Sequence, residues 1–256
     1  MNRSAAEGMQ GSPRQPVGGN TEKEQARAVR DMFVTIAGRY DFLNHLLSGN
    51  IDRRWRRRCM REIARRVSRP EPRVLDLGCG TADLAIEFAV LGKVVGCDFC
   101  HPMLEIGREK IIRRSLTHAI ALVEGDALNL PFPPGRFDAA VSAFVLRNLA
   151  NLETGLHEMR RVLRPGGVLG ILDFSMPRTP VFGAAYRFYF GRVLPMLGKW
   201  ISGADGPYRY LPESVQRFPS PETLCSRIER AGFRDVECHP LTAGIAMLFV
   251  ATADGR

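Results

Sequence analysis

The stretch VLDLGCGTADL, residues 74–84, decides the fold, because it has the pattern of a buried strand entering a glycine-rich turn. The apolar run ends at Gly78 and Gly80, and a helix is predicted to begin near Thr81. Glycines let a backbone approach a ligand closely, and a helix start offers free amides. The stretch therefore predicts a site for a nucleotide-like ligand, although a tight connection that binds nothing remains the alternative.

Short apolar runs and helical segments alternate from Arg73 onward, which predicts a mostly parallel sheet. The predicted strands are 73–78, 93–98, 119–125, 137–144 and 167–174, and the predicted helices are 81–91, 101–114 and 151–163. A helix at 220–233 and a strand hairpin are expected to close the chain. We expect an α/β fold with seven mostly parallel strands, helices on both faces and a C-terminal antiparallel strand.

The chain divides into three predicted parts. Residues 1–20 are rich in Gly, Pro and Ser and predict a disordered tail. A capping box at Thr21 and Glu24 starts a helical region predicted over 21–72, which is expected to cover the acceptor site and could contact the membrane. The core is expected over 73–256, with an aromatic helical insert at about 178–218.

The composition indicates a globular protein with a basic surface. The formal net charge is +9 and the pI is near 9.7, which suits either an anionic partner or simple solubility. The sequence shows no secretory signal and no apolar run long enough to span a bilayer, so a cytoplasmic protein is expected. Cys97 and Cys100 form a single C-x-x-C pair, which is weak evidence for zinc, and no metal is expected.

Acidic residues around the glycine turn indicate which ligand it holds. A dinucleotide motif would have a third glycine at position 83, where the chain has Asp83, and Asp76 adds a second carboxylate. These acids disfavour a pyrophosphate and favour a ligand with cationic groups, such as S-adenosylmethionine. Asp98 follows the second strand and could accept the ribose hydroxyls, while Asp126 follows the third and could accept the adenine amino group.

This pattern resembles class I S-adenosylmethionine-dependent methyltransferases, which have a Rossmann-like fold. YDFLNHLLSGNIDRRW (40–55) and RVLRPGGVLGILDFS (161–175) resemble the two signatures of the ubiquinone/menaquinone biosynthesis C-methyltransferases, and AFVLRN (143–148) and YRYLPESVQRFP (208–219) resemble further family blocks. The resemblance runs from about Ala26 to the last strand.

Several positions depart from the family pattern. The family usually has a histidine at Asp52, an acid at His45, a glycine at Ala82, a glutamate at Asp173 and a serine at Ala143. These differences leave the quinone type open.

The resemblance implies methylation of a ring carbon of a reduced polyprenyl quinone precursor, demethylmenaquinol or the corresponding ubiquinone-pathway benzoquinol. The donor-binding set it implies is Asp76, Gly78, Gly80, Thr81, Asp98, Asp126, Ala127 and Ala143. Arg147 and Asn148 are expected beside the donor, where Arg147 either stabilises a phenolate or ties a loop down. Tyr40, Asp41, Asn44 and His45 could line the acceptor pocket, with His45 either a base or a packing residue.

An arginine-rich stretch at 53–67 carries much of the positive charge. Trp55, Cys59, Ile63 and Val67 recur at a spacing of four, which predicts a basic amphipathic helix. Such a helix could lie transiently on anionic lipid at the inner face of the cell membrane, or pack on the core with a solvated basic face. The oligomeric state stays open, with a homodimer as one option.

Other functions fit the sequence less well. A phospholipid N-methyltransferase would share the donor site, and a non-catalytic donor-binding module would bind without turnover. The basic run lacks interleaved aromatic residues, so a nucleic-acid partner is not expected.

Overall fold

The computed structural model describes residue 24 and residues 27–35, 37–38, 50–177 and 214–255. The predicted tail at 1–20 and most of the predicted insert at 178–218 lie outside these residues. Residues 27–35 and 214–217 are helical.

In the part of the chain that the structure describes, seven strands form one sheet in the order β3-β2-β1-β4-β5-β7-β6. They are β1 (Arg73–Leu77), β2 (Lys93–Asp98), β3 (Ile120–Glu124), β4 (Phe137–Ala143), β5 (Leu163–Phe174), β6 (Phe233–Leu241) and β7 (Ala246–Ala253). The first five pair in parallel, β7 runs antiparallel to β5, and β6 pairs antiparallel with β7. The predicted α/β fold, its strand number and its C-terminal hairpin are confirmed.

Within the described residues, five helices pack on the sheet: α1 (Ile51–Ala64), α2 (Asp83–Phe88), α3 (His101–Arg113), α4 (Leu152–Val162) and α5 (Pro221–Arg230). The helix predicted over 81–91 was too long, since α2 begins two residues later and ends three residues earlier. Ala82 has a left-handed φ of 66°, so the chain cannot enter the helix before Asp83. Among the described helices, none is long and apolar enough to cross a membrane.

The sheet has a separate apolar core on each face. One core joins alternate strand side chains to α4 and α5, and the other joins the opposite side chains to α1, α2 and α3. Alternation along buried parallel strands produces this division. The expected helices on both faces are therefore confirmed.

Helix α1 belongs to the second of these cores. Trp55, Cys59 and Ile63 from its apolar stripe are buried there against the sheet. Gly170 in β5 makes room for the helix, because a Cβ on that residue would lie 2.8 Å from Cδ1 of Ile63. The apolar stripe is thus used for packing, and only the arginine face of α1 points outward.

Candidate functional site

A cavity of about 700 Å³ lies at the carboxyl ends of β1, β2, β3 and β4. Open parallel sheets bind ligands at this edge. Of the residues predicted from sequence to form the site, six line the cavity: Gly78, Gly80, Asp98, Asp126, Ala127 and Asn148.

The glycine turn forms the floor of the cavity. Gly78 and Gly80 have φ of 65° and 52°, in the left-handed region that favours glycine. The amide of Gly78 donates to the carbonyl of Cys97 at 2.7 Å, which ties the turn to β2. A Cβ on Gly78 would lie 2.5 Å from both methyl groups of Val145, so the turn fits closely beneath the end of β4.

Asp98 ends β2 and holds the turn from the other side. Its Oδ2 accepts from the amide of Gly80 at 2.8 Å, and its Oδ1 accepts from the amide of Cys100 at 2.9 Å. Burial raises the pKa of this carboxyl, and the amide hydrogen bonds oppose the shift. Each carboxylate oxygen keeps a second lone pair, so Asp98 can still accept from a pair of ligand hydroxyls.

Asp126 lies two residues beyond β3, where its Oδ1 accepts from the amide of Leu128 at 2.9 Å. Asp126 and Ala127 both border the cavity. Because β1, β2 and β3 are neighbours in the sheet, Asp76, Asp98 and Asp126 form a row of acids across these three strands.

Asp76 lies within β1, below the cavity lining, and is 1% exposed. Among the described residues, neither of its carboxyl oxygens has a hydrogen-bond partner. Burial raises its pKa to about 8, against opposing effects from the Ala85 amide and from Arg56. Burying a carboxyl without a partner costs free energy unless a cation or a hydrogen-bond donor pairs with it.

Thr81 and Ala143 are near the cavity but do not line it. Thr81 is buried, and its hydroxyl accepts from Nζ of Lys110 at 2.8 Å. Lys110 also pairs with Asp83 at 2.7 Å, so α3 holds the start of α2. Ala143 is the last residue of β4 and packs against the apolar core that contains α1.

Arg147 and Asn148 form a short 3-10 turn, Leu146–Asn148, after β4. Asn148 borders the cavity and donates from Nδ2 to the carbonyl of Phe144 at 3.3 Å. The guanidinium of Arg147 instead pairs with buried Asp173 at 2.7 Å and lies 5.2 Å from the Phe174 ring centroid. The arginine therefore connects the ends of β4 and β5. This salt bridge corresponds to one of the two roles predicted for Arg147, that of holding a loop in place.

Comparison with known proteins places this geometry in a family. A model described as the ubiE/COQ5 methyltransferase family matches residues 20–253. The chain belongs to the ubiE/COQ5 methyltransferase family. The family predicted from the two signatures is thereby confirmed.

This chain aligns with relatives in the family over nearly their whole length. A demethylmenaquinone methyltransferase of Thermus thermophilus is 50% identical over 222 residues, covering 86% of this chain and 98% of the relative. A protein of the same name from Deinococcus radiodurans is 46% identical over 93% of this chain and 96% of its own. A ubiquinone/menaquinone biosynthesis C-methyltransferase UbiE of a Geobacter species is 42% identical, covering 90% of this chain and 97% of its own.

Solved structures share the fold of this family member at low identity. A SAM-dependent methyltransferase from Aquifex aeolicus matches with a TM-score of 0.55 and 20% identity, covering 75% of this chain and 88% of that one. The [4+2]-cyclase SpnF matches with a TM-score of 0.56 and 21% identity over 77% of this chain and 80% of its own. These matches support the Rossmann-like class I fold.

The family identifies the enzyme class. The protein is a methyltransferase. S-adenosylmethionine stays the donor that the acids around the glycine turn predict. In the described part of the chain, no group of three or more His, Cys, Asp or Glu is placed to hold a metal ion.

The sequence missed the contribution of the N-terminal helical segment, residues 27–35. Arg27, Arg30 and Phe33 line the cavity, and Arg30 lies 3.7 Å from Glu124 at the end of β3. The capping box predicted a helix here, but no signal in the sequence connected that helix with the donor cavity.

The acceptor residues predicted from the first signature lie outside the described residues. These are Tyr40, Asp41, Asn44 and His45. They remain predictions.

Proposed function

We propose that this methyltransferase transfers the methyl group of S-adenosylmethionine to a ring carbon of a reduced polyprenyl quinone precursor, with demethylmenaquinol as the acceptor. One observation supports this choice of acceptor: the chain covers 98% of the Thermus thermophilus demethylmenaquinone methyltransferase at 50% identity. The name of the Geobacter relative covers both quinone pathways, so the benzoquinol is the second acceptor to test.

The donor lies across the carboxyl edge of the sheet in this proposal. Its ribose hydroxyls donate to Asp98, and its adenine amino group donates to Asp126. The glycine turn approaches the methionine part, whose ammonium is directed towards Asp76. The sulfonium methyl then faces the end of β4 near Asn148. Support for this placement comes from the cavity lining and from the lone pairs that Asp98 retains.

Arg147 is the proposed group that stabilises charge on the acceptor. Methylation at carbon needs an electron-rich ring, and loss or sharing of a hydroquinone proton makes the ring richer. The Nε of Arg147 is buried and has no hydrogen-bond partner in the described part of the chain. With Asp173 fixing the guanidinium, this N–H could donate to a developing phenolate. No metal and no covalent intermediate is needed.

The deciding experiment supplies the enzyme with labelled S-adenosylmethionine and one of two reduced acceptors. The acceptors are a short-chain demethylmenaquinol and the matching ubiquinone-pathway benzoquinol, with phosphatidylethanolamine as a third arm. We expect label at a ring carbon of the naphthoquinol. Label only in the phospholipid would favour the N-methyltransferase alternative. Donor binding without label in any arm would favour a non-catalytic module.

The arginine face of α1 supports a proposed peripheral docking at the inner face of the cell membrane. Arg53, Arg54, Arg57 and Arg61 are exposed on this helix, while its apolar stripe is buried in the core. Docking would therefore be electrostatic, at about 1 kcal/mol for each basic residue near an anionic surface.

Vesicle sedimentation tests this docking. The double variant Arg53→Glu/Arg54→Glu should lose binding to vesicles containing phosphatidylserine, and added salt should weaken the wild type. The control, Arg113→Glu/Arg114→Glu, makes the same charge change at the end of α3. Equal binding by both double variants would contradict the proposal.

A further inference from the structure

The helical segment 27–35 lies against the part of the donor cavity formed by the ends of β2 and β3. Arg30 of this segment lies 3.7 Å from Glu124, the last residue of β3, and both side chains are half-exposed. Phe33 packs against a small apolar cluster that includes Cys100, between β2 and α3. One charged contact and one apolar contact therefore place the same segment at this end of the cavity.

This end of the cavity takes the adenosine half of the donor in the proposed placement. Asp98, the last residue of β2, accepts the ribose hydroxyls there, and Asp126 accepts the adenine amino group two residues beyond Glu124. Arg30 and Phe33 both line the cavity. The segment therefore bounds the space that the adenosine would occupy.

The charge of Arg30 limits which half of the donor it can face. S-adenosylmethionine carries its sulfonium and its ammonium in the methionine half, whereas its adenosine half is uncharged at neutral pH. A guanidinium beside the sulfonium would repel it and weaken binding. A guanidinium can instead stack on a flat aromatic ring such as adenine. Because Glu124 keeps Arg30 at the end of β3, the arginine lies on the adenine side.

We propose that Arg30, oriented by Glu124, contacts the adenine of the donor, so that the segment 27–35 is part of the donor site. The inference rests on the donor placement given under the proposed function. Arg30 is the contact residue, and Glu124 is a positioning residue that acts through it. The segment thus adds a contact from outside the sheet to a site built from strand ends.

Calorimetry with two ligands tests the contact. S-adenosylhomocysteine contains the adenosine and the amino acid, whereas 5′-methylthioadenosine lacks the amino and carboxyl groups. Arg30→Met keeps an unbranched apolar side chain and removes the guanidinium. We expect this variant to bind both ligands more weakly by the same factor, about 3- to 30-fold, which is the range of a cation–π contact.

A second exposed arginine provides the matched control. Arg113 on α3 pairs with Glu109 at 3.9 Å and does not line the cavity. Arg113→Met should therefore bind both ligands as the wild type does. Thermal unfolding is measured first, and the midpoint should change little in either variant because both arginines are exposed.

A double-mutant cycle tests the positioning role of Glu124. Its carboxylate also lies 2.8 Å from Nδ1 of His101, so Glu124→Gln keeps a hydrogen-bonding side chain in place. This substitution should weaken both ligands by less than Arg30→Met does. In the Arg30→Met background it should have no further effect, since the group that it orients is gone. An equal effect in both backgrounds would contradict the positioning role.

Three results would overturn the contact with adenine. The first is unchanged affinity of Arg30→Met for both ligands. The second is a loss confined to S-adenosylhomocysteine, which would place Arg30 beside the carboxylate of the amino acid. The third is a wild type that binds S-adenosylhomocysteine but not 5′-methylthioadenosine, because the adenosine half would then carry no affinity. Failure of the wild type to bind S-adenosylhomocysteine would instead contradict the donor placement itself.

Discussion

In the proposed donor placement, Asp98 is the residue on which donor binding depends most directly. Replacing it with alanine removes the proposed ribose acceptor and also two hydrogen bonds that hold the Gly80 and Cys100 amides. Hydrogen bonds to a charged group contribute about 1.5–3 kcal/mol, so donor affinity should fall about 10- to 100-fold. Calorimetry measures this, with Asp235→Ala on exposed β6 as the control. Equal affinity for wild type and Asp98→Ala would refute the ribose assignment.

Arg147 should affect turnover far more than donor binding. Lysine keeps the charge facing Asp173 but loses the planar fork and the Nε proton. We expect Arg147→Lys to bind the donor normally and to lower kcat by about two orders of magnitude, in the range of a lost oxyanion donor. Alanine is the poorer probe, because it leaves Asp173 buried without its cation. Wild-type turnover by Arg147→Lys would show that the arginine serves only as a tie.

The sequence predicted the cavity residues that lie at the ends of strands. It did not predict the residues whose positions depend on how the helices and strands pack together. Gly78, Asp98 and Asp126 could be predicted because parallel strands bring their carboxyl ends to one edge. Arg56 could not, since it lies within a run of arginines and only the packed helix distinguishes the buried one. The pairing of Arg147 with Asp173 likewise depends on β4 and β5 being neighbours.

Helix α1 shows what a periodic pattern can and cannot establish. The spacing of Trp55, Cys59 and Ile63 predicted an amphipathic helix, but either lipid or the sheet could have covered its apolar face. Ile63 is fully buried, so Ile63→Ala should lower the free energy of unfolding by about 2–4 kcal/mol. The same substitution at Ile112, which is 63% exposed on α3, should change it by less than about 0.5 kcal/mol. Urea unfolding compares the two, and equal losses would contradict the packing of α1.

The end of α3 offers a stabilising substitution. Ser115, immediately after the C-cap Arg114, is exposed and has a left-handed φ of 57°. Glycine adopts this conformation without steric cost, whereas other residues lose about 1–2 kcal/mol there. Ser115→Gly should therefore raise the free energy of unfolding by about 1 kcal/mol, as measured in urea. Ser115→Ala is the control, since alanine keeps the Cβ and should give no gain.

At the scale of the whole molecule, the strand order creates the donor site. Three acids separated by many residues become neighbours only because β3, β2 and β1 lie side by side, with β4 following. The apolar runs and turn residues made the strands predictable, but no local pattern specifies how seven strands are ordered. The same order buries Asp76 within the sheet, which couples the ionisation of this carboxyl to the stability of the fold.

That coupling gives a stability profile with a definite sign. The pKa of Asp76 is raised from 3.8 to about 8 in the folded protein, so the native state binds more protons than the unfolded chain between these values. The contribution of Asp76 therefore destabilises the fold progressively as pH rises towards 8 and is constant above it. Asp76→Asn should unfold at a higher temperature than wild type at alkaline pH, and the difference should shrink towards mildly acidic pH.

Thermal unfolding over a series of pH values, with and without S-adenosylhomocysteine, measures this profile. Asp98, whose pKa burial also raises, is present in both proteins and cancels in the comparison. Saturating ligand should stabilise wild type more than Asp76→Asn at alkaline pH, because the ammonium supplies the charge that the buried carboxylate lacks. A difference between the two proteins that stays constant with pH would mean that Asp76 is ionised throughout and already compensated within the fold.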